Sequence, residues 1–156
     1  MTRTNFNNMG PGKVLERFIV SNTDLTTAGL TQTLTLKTLP KGSFVTGVRI
    51  KSATAFTGGG ASACTVSVGS AAGNATTFSA AYDIFQAVAD TALQMTSMFK
   101  AATYAQDTLQ AFFTSVGANL NALTAGVVYI DVEYYLTEDL TGTGPTGNAL
   151  ATGGQL

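Results

Sequence analysis

Asp131 and Glu133 stand two residues apart in the run VVYIDVEYYL (127–136), so on a strand their carboxylates share one face. Paired carboxyl groups can carry out general acid–base hydrolysis, but they must flank the scissile bond from opposite sides. Neighbours on one strand face do not. With Tyr129 and Tyr135 beside it, the pair reads as a hydrated or interfacial sheet surface. The other acids weighed for such work, Asp24, Asp83, Asp90, Asp107, Glu138 and Asp139, form no motif.

Other routes to chemistry close quickly. Histidine is absent, which removes the usual general base, the Ser-His-Asp arrangement and every histidine-containing zinc site. The single cysteine, Cys64, allows no intrachain disulfide, and its alternation with Val66 and Val68 marks a small buried hydrophobe. Gly58, Gly59 and Gly60 lack the lysine and hydroxyl of a phosphate loop and read as a turn. Asn74-Ala75-Thr76 fits the glycosylation tripeptide by chance, and Asp83 and Asp90 lack the dense ligand loop that calcium requires. The expectation is a non-enzymatic chain with no catalytic residue, no cofactor and no metal.

The elements that would position these residues are mostly strands. Apolar or alternating runs predict strands over 15–21, 30–36, 43–56, 64–68, 93–99, 109–116 and 127–136. In 30–36, Leu30, Gln32, Leu34 and Leu36 share a face. In 43–56, Phe44, Val48 and Ile50 point one way, and Val45, Arg49 and Lys51 the other. Val128, Ile130, Val132, Tyr134 and Leu136 give 127–136 its core face. Over 79–89 the period changes: Tyr82, Phe85, Val88 and Ala89 predict one short helix, with Ser79 as cap. Short strands without a βαβ rhythm predict an all-β, antiparallel β-sandwich or jelly roll of seven or eight strands. Residues 1–13 are expected to be a flexible arm, 14–137 the sandwich domain, and 138–156 a Gly/Thr-rich tail.

Charged residues make up 11% of the chain, against about 25% in typical domains. Thr, Ser, Asn and Gly must therefore cover much of the exterior, a surface that packs on other protein with little charge desolvation. The net charge of −1 gives no electrostatic case for nucleic acid or an anionic membrane. Arg49 and Lys51 read as a solvated strand face. No run has the length of a membrane span and the first residues lack the apolar core of an export signal, so synthesis in the cytoplasm is expected.

Four stretches carry a family likeness: DLTTAGLTQTLTLKTLPKGSFVTGVRIKSATAF (24–56), CTVSVGSAAGN (64–74), AYDIFQAV (81–88) and GANLNALTAGVVYIDVEYY (117–135). Together they resemble small virion proteins of tailed bacteriophages, of the capsid decoration or cement type. The resemblance spans about two thirds of the chain and its motifs are architectural, so it transfers no functional residue. It implies a structural subunit on the capsid surface, commonly a homotrimer, that bridges and stabilises the major capsid protein. The alternative is a head-fibre or tail-fibre module binding a host surface glycan. Candidate interface residues are Arg3 and Phe6 in the arm and Tyr129, Asp131, Glu133 and Tyr135 on the last strand.

Overall fold

A computed structural model describes residues 1–6, 13–39, 43–71, 74–85, 100–101 and 107–135. Among them run nine strands: β1 (Thr2–Phe6), β2 (Lys13–Ser21), β3 (Thr31–Leu39), β4 (Phe44–Thr57), β5 (Ala63–Ser70), β6 (Tyr82–Asp83), β7 (Lys100–Ala101), β8 (Asp107–Val116) and β9 (Ala125–Tyr135). They pair into a five-stranded sheet, ordered β1-β2-β9-β4-β7, and a four-stranded sheet, ordered β3-β8-β5-β6. Every pairing is antiparallel. The expected antiparallel β-sandwich is the fold.

Alternation builds the core. Phe18 and Val20 of β2, Val48 and Ile50 of β4, and Val128, Ile130 and Val132 of β9 are fully buried inward from the larger sheet. Cys64, Val66 and Val68 of β5 meet them with Leu109, Ala111 and Phe113 of β8. Each such aliphatic or aromatic side chain contributes about 1.5–3 kcal/mol by leaving water. Phe56 and Phe113 join the sheets in a tilted ring contact with centroids 6.2 Å apart. Burial, reinforced by the charge of Asp83, pushes the Cys64 thiol up to about 11, so it stays un-ionised at neutral pH.

Bulges change two of the expected faces. In β4 the register against β9 shifts between Val45 and Gly47. That extra residue turns Val45 into the core and leaves Phe44 on the outside, the reverse of strict alternation. In β3 the shift falls between Thr35 and Lys37, so Leu36 and Leu39, three apart, are both buried. Leu30, expected on the core face, is exposed just before β3.

The short helix expected over 79–89 does not form within its described part. Tyr82 and Asp83 instead pair with Val66 and Thr65 as β6. On either side, the Phe78 and Ser79 amides donate to the Val68 carbonyl and the Ile84 amide donates to that of Cys64. The physical reason is the free edge of β5, whose backbone groups need partners. Tyr82 and Phe85 suggested an apolar helix stripe, but Ile84 and Phe78 are the residues that plug the core. Residues 86–89 and the strand expected over 93–99 lie outside the described residues, as does the tail 138–156. Thr2–Phe6, within the expected flexible arm, is an edge strand: its register on β2 runs from Thr2 opposite Ile19 to Phe6 opposite Leu15.

Candidate interaction surface

The outer face of the five-stranded sheet gathers the candidate residues of the last strand. β9 lies between β2 and β4, with Asp131 opposite both Arg17 and Arg49, and Tyr129 opposite Ile19 and Lys51. The period-2 pattern of β9 sends Tyr129, Asp131, Glu133 and Tyr135 outward while their neighbours fill the core. Arg3 and Phe6 stand on β1, at the positions opposite Phe18 and Leu15.

Both carboxylates are held by cations of the same chain. The Arg17 guanidinium donates to both oxygens of Asp131, from Nε at 2.6 Å and from a terminal nitrogen at 2.7 Å. That fork raises the affinity of Arg17 for its proton, although burial works against it. The same guanidinium lies 5.2 Å from the centre of the Tyr129 ring, in cation–π range. Glu133 receives Lys13 at 3.1 Å and the Thr46 hydroxyl at 2.8 Å. Burial alone would lift its pKa, but those hydrogen bonds and the charges of Lys13 and Arg49 hold the carboxyl below its ordinary value. The Thr46 contact is a consequence of the β4 bulge. Glu133 is held in its ionised form at neutral pH and offers no general acid for glycoside hydrolysis.

Arg49 and Lys51 are exposed on β4, the solvated face that their spacing predicts. One more aromatic group completes the surface: Phe44 lies opposite Tyr135 in register, and the two are exposed at 36% and 38%. Phe44 was missed by sequence reasoning because the bulge that turns it outward leaves no mark in the residue pattern.

A second polar cluster lies inside the sandwich and was also missed. Glu16 of β2 is fully buried on the core face and receives the Lys37 ammonium of β3 at 2.8 Å. Lys37 also donates to the Tyr134 hydroxyl and stands 4.9 Å over that ring. Burial, reinforced by the Glu16 carboxylate, lifts the Tyr134 phenol above its ordinary value against the opposing pull of Lys37. The clue in the sequence was the spacing: Glu16 alternates with Phe18 and Val20 on the core face.

The outer face of the four-stranded sheet differs in chemistry. Thr31, Thr33 and Thr35 of β3 and Thr114 of β8 are exposed, with the half-buried Phe112 lying between Thr33 and Ser67 in register. Elsewhere, the Asn74 carboxamide oxygen accepts from the Thr76 amide at 3.1 Å and from the Thr76 hydroxyl at 3.2 Å, closing a turn. Among the described residues no three Asp, Glu, Cys or His side chains gather as a metal site.

No protein-family model matches the chain, and no curated protein matches it. Among solved structures, a chain of the cyanophage Pam1 capsid asymmetric unit is similar, with a TM-score of 0.60 and 23% sequence identity. The match covers 85% of this chain and 90% of that one. What the two share over nearly their whole length is the fold, an antiparallel β-sandwich.

Proposed function

We propose that this chain is a non-enzymatic virion structural protein, a decoration or cement subunit on the capsid surface of a tailed phage. In this reading it assembles as a homotrimer and bridges neighbouring major capsid proteins. The observation that carries the reading is the near full-length likeness to a chain from a phage capsid asymmetric unit. The strand order supports a jelly roll: β2-β9-β4-β7 faces β3-β8-β5-β6, with the chain repeatedly changing sheets. Jelly rolls occur in viral capsid domains. The site chemistry agrees, since Asp131 and Glu133 serve as ion-pair partners.

The outer face of the five-stranded sheet is the docking surface in this proposal, with Tyr129, Asp131, Glu133 and Tyr135 at its centre and corner. On β1, Phe6 holds the register position opposite Leu15 that extends this face, whereas Arg3, opposite the core-facing Phe18, does not. Arg17 over Tyr129 favours protein docking, because a sugar stacking on that ring must displace a guanidinium already engaged with Asp131. Quantitative mass spectrometry of purified virions tests the role. A copy number matching the shell's capsomers is expected; absence, or a count suited to a single tail, overturns it.

A host-glycan module of a head or tail fibre is the second reading. The neutral threonine face around Phe112 favours it, since hydroxyl-rich sheets with one aromatic platform suit uncharged sugars. Glycan-array binding lost in Phe112→Ala would support it, and an array with no binder counts against it.

A further inference from the structure

Four of the chain's eight basic residues fall on one surface, the outer face of the five-stranded sheet: Lys13, Arg17, Arg49 and Lys51. Only Asp131 and Glu133 oppose them there among the described residues, so the face carries a formal +2. The whole chain is −1, which leaves −3 on everything else. The face is therefore positive although the chain as a whole is not.

The two carboxylates are already matched, Asp131 by Arg17 and Glu133 by Lys13 and Thr46. Arg49 differs: among the described residues no ion pair or hydrogen bond engages its guanidinium. Lys51 is exposed two residues on, on the same strand face and about 7 Å away. At the corner of the face lie the exposed Phe44 and Tyr135. Arginine and aromatic side chains together are the composition of protein-docking surfaces.

We infer that Arg49 and Lys51 dock this face onto an acidic protein surface of the shell, with Phe44 and Tyr135 packing at the edge. The inference rests on the virion reading and names the chemistry of the partner. A nucleic acid fits less well, because Asp131 and Glu133 on the same face repel a polyanion and the excess charge is small. Complementary charge mainly sets the rate of encounter and its dependence on salt.

The test uses full-length chain added to virions stripped of it, with attachment measured from about 50 to about 500 mM NaCl. Wild type should attach at low salt and weaken steadily as salt rises. Arg49→Glu with Lys51→Glu should weaken attachment about tenfold or more at low salt, and Arg49→Gln with Lys51→Gln should fall between. Thr33→Glu, on the outer face of the other sheet, should attach like wild type. Circular dichroism must show an unchanged strand spectrum for each variant. Wild-type attachment indifferent to salt and to both double variants overturns the acidic-partner inference while leaving the virion reading standing. A wild-type chain that attaches to no virion overturns both.

Discussion

Glu16 and Lys37 form an ion pair at 2.8 Å that crosses from one sheet to the other inside the sandwich. Glu16 is fully buried, and the partner ammonium also meets the Tyr134 hydroxyl. Lys37→Met should strand a buried carboxylate and cost about 3–5 kcal/mol. Adding Glu16→Leu should recover most of that loss, because an apolar pair of similar volume is often as stable as a buried ion pair. Chemical denaturation of the single and double variants reads both numbers. Equal destabilisation in the two would show that the carboxylate left behind by Lys37→Met is not the source of the loss.

Gly126 marks a second point of tight fit. Its φ is +149°, and a Cβ there would stand 2.4 Å from ring carbons of the fully buried Phe56. Gly126→Ala should therefore force the ring or the strand to shift and cost about 1–3 kcal/mol. A lowered urea midpoint with an unchanged slope is the expected signature. An unchanged midpoint would mean that the Phe56 pocket has slack.

Acid should weaken the fold partly through Glu133. Its carboxyl titrates lower in the folded chain than in the unfolded one, so the unfolded state binds more protons in the acid range. The stability it contributes is complete above the ordinary carboxylate range and is lost as pH falls through the folded value. Glu133→Gln should flatten the acid limb of a stability–pH profile, with a loss of only about 0.2–1 kcal/mol at pH 7. A variant whose acid limb matches wild type would remove Glu133 from the account of acid sensitivity.

The Arg17–Asp131 fork should be measurable as coupling. A double-mutant cycle with Arg17→Ala and Asp131→Ala should give roughly 1 kcal/mol, the upper end for partly exposed pairs because the geometry is bidentate. Coupling near zero would reduce the fork to a surface contact without energetic weight.

β9 was legible in the sequence over 127–135 because those residues alternate without interruption, and burial on one side follows from that pattern alone; Leu136, expected on the same core face, lies outside the described residues. β4 was legible as a strand, but a one-residue bulge at Thr46 inverts Phe44 and Val45, and bulges are set by the partner strand. The segment around Tyr82 was misread because the β5 edge dictates its conformation from a distance. The candidate surface divides in the same way. Which β9 residues face outward was readable; that Arg17 would lie against Asp131, 114 residues away, needed the order of the strands. Glu16 was the nearest miss, since its place in the alternation was visible and only its partner was not.

The proposed decoration role is tested most directly by electron cryo-microscopy of virions that carry this chain. We expect sandwich-shaped density on the outer shell at junctions between capsomers, with the five-stranded sheet turned toward the shell and Arg49 near acidic side chains. Density confined to a tail or fibre tip, or no such density on the particle, would contradict it.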